Sequence, residues 1–275
     1  MKRLFSFLGA LLMSGILSAN ESFDLVSYNI RYAARGDGGT KAWDARKGTV
    51  TEYLKNSGAG FIGLQEVLHH QLQDVAKALP EMKYIGLGRD DGKQKGESSP
   101  IFYDPEKWTL DEQNHGTFWL SETPDVPGSK SWGNSITRIC TWARFVGKDG
   151  KAFYLYNTHW DHRSQPSREK SAALIAKMIS TRKFQKEPYV VMGDFNATTG
   201  NPAIVTLMDS AKLVDHGGEK QKATFNQWKP GLKDGMRIDH IFTSKDLKVS
   251  GLKVESNGDP VGADHHPVIL RGASF

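Results

Sequence analysis

The chain has 275 residues, 38% hydrophobic and 24% charged, with a mean hydropathy of -0.49 and a formal charge of +5. That is an ordinary soluble composition, long enough for one large α/β domain or two small ones. Its one cysteine, Cys140, excludes an intramolecular disulfide, so the core has to stand without staples.

Met1-Lys2-Arg3 is a short basic start, and Leu4 to Ala19 is almost wholly apolar. Too short to span a bilayer comfortably, residues 1–19 read as a secretory signal cut near Ala19, although Leu17 at the minus-three position makes that site imperfect. The mature domain is then 20–275, secreted or periplasmic. Losing Lys2 and Arg3, and no acid, lowers the formal charge from +5 to +3. This mild basicity permits phosphate-bearing partners without demanding them.

Beyond the signal, strand-like runs alternate with loops and a few helical patterns. In chain order the strands are "FDLVSYNI", "GFIGLQE", "KYIGLG", "PIFYD", "RICTWARFV", "AFYLYNTH", "PYVVMGD", "RIDHIFTS" and "HPVILRG". Helical periodicity marks about 47–56, "LHHQLQDVAKAL" and "SREKSAALIAKMISTRK"; in the last, Leu174, Ile175, Met178 and Ile179 share one face. Cys140, between apolar neighbours in "RICTW", reads as a small buried residue. Gly- and Pro-rich loops separate the units, and neither a repeat nor a composition shift marks a second domain. The pattern predicts one domain of two mixed sheets with helices outside them.

Where the apolar runs stop, they deliver Asn29, Glu66, His159, Asp194 with Asn196, Asp239 inside its run, and Asp264 with His265. A single polar strand end is ordinary turn or cap chemistry. Six segments presenting only Asn, Asp, Glu and His are the inventory for a hard cation held by oxygens, with imidazoles and carboxylates left for proton and charge work. No Gly-rich phosphate loop with a Lys is present, nor a G-x-S-x-G elbow, nor the cysteines of a structural zinc site. In "HWDH", His159 and His162 are expected to diverge at a strand-to-loop edge. Taken singly, Asn29 can be a cap, Glu66 a helix-start acid and Asp239 an ion-pair partner of Arg237 or Arg138.

The ordered series Asn29, "LQEV", "NTHWDH", "GDFNA", "RIDHIF" and "ADHHPV" resembles the endonuclease/exonuclease/phosphatase superfamily of Mg-dependent phosphoesterases, from about Phe23 to Arg271. The loop stretches "GRDDGKQKGESSPIFYD" and "GTFWLSETPDVPGSKSWGNSITRICTWARF" look like a bacterial branch of it whose eukaryotic likeness is to deadenylase-type exonucleases. The resemblance implies a four-layer α/β sandwich, two mixed β-sheets packed face to face with helices outside. It implies Mg²⁺ or Mn²⁺ held by Glu66, with Asn29 and Asp264 beside it. Asp194 would position or deprotonate the attacking water, or protonate the leaving oxygen. Asn196 would donate its amide to a phosphate oxygen, and His159 to the non-bridging oxygens. His265, oriented by Asp239, would be base or cationic stabiliser. Arg31 and Arg138 hold either a second phosphate or a structural pair.

The expected activity is phosphodiester or phosphomonoester hydrolysis by a Mg-activated water, with a 3'-5' exonuclease-like nuclease foremost and nucleic acid or nucleotide as partner. An exported phosphatase and a phospholipid- or sphingomyelin-type phosphodiesterase are the alternatives on the same scaffold, and a non-catalytic binding protein is a further one. Of the remaining polar residues, His240 and His266 read as extra phosphate contacts or polar neighbours, and His162 as a solvated or capping residue. Trp43, Trp119 and Trp132 read as loop locks, with base stacking as the rival.

Overall fold

In the computed structural model, alternate residues of β1 (Phe23–Asn29) divide between two apolar layers. Residues 22–218 and 222–275 are described; the segment 1–19, expected from sequence to be a signal, lies outside them. Phe23 and Leu25 point to one side with Phe61, Phe145, Phe153, Leu155, Val190 and Met192. Val26 and Tyr28 point to the other, with Val50, Leu54, Leu72 and Val75 of two helices, α1 (Trp43–Asn56) and α2 (His69–Ala78). This period of two is what a strand buried on both faces requires.

The remaining strands are β2 (Phe61–Gln65), β3 (Lys83–Ile85), β4 (Ile101–Tyr103), β5 (Trp108–Trp119), β6 (Ile139–Gly147), β7 (Ala152–His159), β8 (Tyr189–Asp194), β9 (Leu213–Asp215), β10 (Asp239–Ser244), β11 (Gly251–Val254) and β12 (Val268–Ala273). They form two six-stranded sheets, ordered β11-β12-β1-β2-β4-β3 and β5-β6-β7-β8-β10-β9. Each sheet holds one parallel pair, β1 with β2 and β7 with β8, and the other pairs are antiparallel. A parallel pair needs a crossover. The chain supplies α1 for the first and α3 (Gln165–Ser180) for the second, and α4 (Pro202–Ser210) joins α3.

Three apolar layers result: helices α1 and α2 on the first sheet, sheet on sheet, and α3 and α4 on the second sheet. This is the four-layer sandwich that the sequence resemblance implies. The first sheet takes strands from both chain ends, since β12 lies against β1, and the second is cut from the middle. Among the described residues, no helix is long and apolar enough to cross a membrane.

The predicted strands and helices are present, with additions. The first helix starts at Trp43, four residues before the expected 47. The strands β5, β9 and β11 and the helix α4 had no counterpart in the pattern reading. Strand β5 carries the polar run "LDEQNH" across a register shift, so no alternation shows. Helix α4 is short and starts from the cap Asn201, whose side chain accepts from Ala203 N, with Pro202 at its first position.

Candidate active site

The face that carries the inter-sheet core also carries the polar residues, because side chains two apart share it. Along β1 the inward residues run Leu25, Ser27, Asn29; along β7, Phe153, Leu155, Asn157, His159; along β8, Val190, Met192, Asp194; and along β10, Ile241 then Asp239. Each strand therefore changes from apolar to polar toward the same rim. Just below that rim Gln65 Nε2 donates to Asn157 Oδ1 at 2.7 Å and to Ser27 Oγ at 3.3 Å, and Asn157 Nδ2 donates to the Leu64 and Pro100 carbonyls. These buried amides tie one sheet to the other and fix the floor of the site.

Register places Asp194 between His159 on β7 and Asp239 on β10. From the facing sheet, Asn29 Nδ2 reaches Asp194 Oδ2 at 2.9 Å and Glu66 Oε1 at 3.1 Å. His159 Nε2 lies 3.5 Å and His265 Nε2 3.8 Å from Asp194 Oδ2, and His265 Nδ1 meets Asp239 Oδ2 at 2.8 Å. All of the predicted site residues except Asn29 and Asp239 border one cavity of ≈ 450 Å³, and those two stand directly behind it.

The two imidazoles carry opposite protonation. Burial and the neighbouring Arg138 and Arg89 hold His159 well below its usual range, so it is neutral. Burial also opposes charge on His265, but Asp239 and Asp194 outweigh it and raise it well above, so it is a cation. Burial, reinforced by Asp239, pushes Asp194 up to about 7. Asp264 is raised by burial and by Glu66. The carboxylate behind His265 fixes its tautomer, with Nδ1–H toward Asp239 and Nε2–H toward the cavity.

The expected ligand set is only partly oxygen-presenting. Asn29 accepts at Oδ1 from Arg31 N, 3.0 Å away, and turns its amide nitrogen on the acids, so it braces Glu66 and Asp194. Glu66, His159 and Asp194 bring ligand atoms within 4.8 Å of one another, as do Asp194, Asp239 and His265. Asp264 Oδ1 is buried and has no hydrogen-bond partner among the described residues. Glu66 and Asp194 bring carboxylate oxygens of the kind a hard divalent cation takes, and Asp264, outside both close groups, borders the same cavity. Arg31, at φ 57, sits 3.8 Å from Glu66 and 4.0 Å from Asp264 and is braced by Asp37 at 3.1 Å.

Asn196 does not continue the strand. It adopts φ 48, its N–H donates to Asp194 Oδ1 at 2.9 Å, and Nδ2 donates to the Trp160 carbonyl at 3.0 Å. One amide proton is left toward the cavity, and the pair Asp194–Asn196 is at once a turn and part of the site. Phe195 points away into the helix layer, 4.8 Å from Trp160. Arg237 pairs with Asp215, which leaves Asp239 to His265.

Several lining residues escaped sequence reasoning. Arg89 and Glu97, from the 86–98 loop, form a bidentate pair with both contacts at 2.7 Å. Burial pushes Glu97 up to about 7, with Arg89 pulling the other way. His162 is exposed, as expected of a solvated residue, and also lines the cavity beside His159 with Nδ1 3.1 Å from Arg138 Nη2. The tryptophans act as loop locks: Trp43 Nε1 donates to Asp74 and Trp119 Nε1 to the Arg89 carbonyl, at 2.8 and 2.6 Å. That second bond is the signal that ties the "GTFW" strand to the arginine loop.

His240, on the opposite face of β10 from Asp239, makes no cavity contact. Its Nε2 donates to the Ala197 carbonyl at 2.9 Å and its ring stacks on Phe242. Burial, then Arg237, lowers it from 6.5 to about 4. A folded value below the unfolded one contributes stability above pH 6.5 that is lost as pH falls toward 4. His240→Phe is therefore expected to lose about 1 kcal/mol at pH 7.5, from the missing hydrogen bond. Below pH 5 it is expected to outlast the parent, which by then has lost on the order of 2–3 kcal/mol to charging the imidazole. Urea midpoints at the two pH values check this; parallel pH profiles would refute it.

The model of the Endonuclease/Exonuclease/phosphatase family matches residues 26–265. A structure described as an endonuclease/exonuclease/phosphatase from Bacteroides vulgatus is 33% identical, with TM-score 0.86, covering 93% of this chain and 100% of that one. A Bacteroides thetaiotaomicron protein described as a mannosyl-6-phosphatase is 35% identical, with TM-score 0.82, over 92% of this chain and 100% of that one. The human Nocturnin catalytic domain shares the fold at 17% identity, TM-score 0.71, over 92% and 94% of the two chains. A comparison with curated protein sequences found no match.

Proposed function

Because the chain belongs to the endonuclease/exonuclease/phosphatase family, we propose that it is a divalent-metal-dependent phosphoesterase whose substrate is a small phosphate ester of the sugar-phosphate kind. The observation that carries the reaction is Asp194, held between a neutral His159 and a cationic His265 beside the acids Glu66 and Asp264. Glu66 and Asp264 would hold the metal, Mg²⁺ or Mn²⁺, which when bound neutralises phosphoryl charge and acidifies water. Asp194 takes a proton from the attacking water as its oxygen adds to phosphorus; the ester P–O bond breaks, and the departing alkoxide leaves as the alcohol with a proton from solvent water. His265 Nε2–H and the free amide proton of Asn196 meet the charge building on the non-bridging oxygens. Asp239 keeps His265 charged and aimed, and His159 holds Asp194 in place.

Two findings support a sugar phosphate. The relative at 35% identity is described as a mannosyl-6-phosphatase. In addition, Arg31 and Arg89 are already paired with Asp37 and Glu97, which spends the charge that a nucleic-acid track needs. The nuclease reading retains the mild basicity and the fold shared with Nocturnin. The basic and apolar segment 1–19 supports export, and so a substrate met outside the cytoplasm.

The test is a panel of mannose 6-phosphate, glucose 6-phosphate, bis(p-nitrophenyl) phosphate, single-stranded RNA and sphingomyelin, with Mg²⁺, Mn²⁺ or EDTA. Phosphate release from the sugar phosphates, abolished by EDTA, is the expected result. Shortening of RNA without sugar-phosphate turnover would put the nuclease reading in its place.

A further inference from the structure

Arg138 opens β6 with 4% of its surface exposed. Its Nη2 contacts His162 Nδ1 at 3.1 Å, and its Nε stands 3.8 Å from Asp161 Oδ2, an ion pair too long for a hydrogen bond. Among the described residues, neither Nε nor Nη1 has a hydrogen-bond partner. The other cations of the cavity are answered by acids. Arg31 has Asp37 at 3.1 Å, His265 has Asp239 at 2.8 Å, and Arg89 has both oxygens of Glu97, with only its Nε left over. A buried guanidinium with unsatisfied N–H groups is a costly arrangement for a free protein. Asp161 at 3.8 Å answers this charge only in part, and an anionic ligand would add to it.

The cavity that Arg138 borders is also lined by Glu66, His159, Asp194, Asn196 and His265, so its buried charge stands beside the place where the phosphoryl group is to react. We propose that Arg138 is a specificity-determining residue that selects a phosphate monoester, with its dianionic terminal group, over a diester. The proposal deepens the phosphoesterase reading and rests on it. A monoester offers three non-bridging oxygens and two negative charges; a diester replaces one of those oxygens with an uncharged alkoxy group. The diester therefore brings one negative charge fewer to the neighbourhood of a buried guanidinium. Arginine suits the task because its charge is permanent and its donors are rigidly forked.

The experiment compares p-nitrophenyl phosphate with methyl p-nitrophenyl phosphate, which share a leaving group, using the full chain with Mn²⁺ at fixed ionic strength. Arg138→Gln is expected to cut the monoester-to-diester ratio of kcat/KM by about 30-fold, and Arg138→Lys by less, because the charge returns without the fork. An unchanged ratio in a variant that melts like the parent overturns the proposal and leaves the phosphoesterase reading standing. If Arg138→Gln does not fold, inhibition of the parent decides: inorganic phosphate must bind at least about tenfold more tightly than dimethyl phosphate, and equal inhibition overturns the proposal. A parent that hydrolyses neither ester with any divalent cation defeats the underlying reading itself.

Discussion

An Asp194→Asn variant is expected to turn over phosphate esters at least about 1,000-fold more slowly than the parent while remaining folded. The substitution keeps size and shape but removes the group proposed above to take the water's proton. It also deletes the charge against which His159 and His265 are set, at 3.5 and 3.8 Å. Asn29 Nδ2, which donates to Asp194 Oδ2 at 2.9 Å, would lose or weaken that bond. Against this loss stands the removal of a carboxylate that is 1% exposed and that burial disfavours. The melting temperature in EDTA is accordingly expected to be no lower than the parent's. Initial rates with Mn²⁺ and a thermal melt of the same sample test both halves. Activity within about tenfold of the parent would remove Asp194 from the centre of the reaction and require another base.

Gly193→Ala, one residue earlier, is expected to damage the fold itself. A Cβ at Gly193 would stand 1.9 Å from the Thr158 carbonyl oxygen and 2.9 Å from its carbon, both backbone atoms of the neighbouring parallel strand. Its φ of 146 is one that side-chain-bearing residues rarely adopt. Nothing flexible lies in the way to yield, so β7 and β8 must separate where they set His159 opposite Asp194. The expected loss is about 3–5 kcal/mol, or a melting temperature lower by roughly 10 °C or more. Gly48→Ala is the control. It lies within α1, an added Cβ meets nothing within 4 Å, and its expected effect is neutral or a gain of up to about 1 kcal/mol. If both variants melt like the parent, β7 and β8 are not paired in the register described.

The legible part of the site was the part built on strand periodicity. Apolar runs that stop at an acid or imidazole announced His159 and Asp194, Asp239 stood inside its run, and in the structure the period of two sets all three on one face. Residues placed by loops were not legible, because nothing local fixes where a loop lies. Arg89 and Glu97 look in the sequence like solvated charges of a Gly-rich turn. The bond from Trp119 to the Arg89 carbonyl and the bridge between Val67 and Ser98 bring them to the cavity. His162 was hidden for a similar reason, since a turn closed by Asp161, which accepts from Arg163 N and Ser164 N, bends the chain back toward Arg138. The amide of Asn29 is a subtler case. Its identity was clear from the strand end, but the Arg31 N–H claims its oxygen and so decides which end meets the acids.

The first sheet is completed by the last strand of the chain, and this has a consequence for when the protein can act. Asp264 and His265 reach Glu66 and Asp194 only after β12 has zipped onto β1, across more than two hundred residues of sequence. Without that pairing, Asn29, Glu66, His159 and Asp194 stand without Asp264 and His265, which border the same cavity. Any reaction at this site therefore waits on a non-local strand pairing, which is a slow step in a fold rich in long-range contacts.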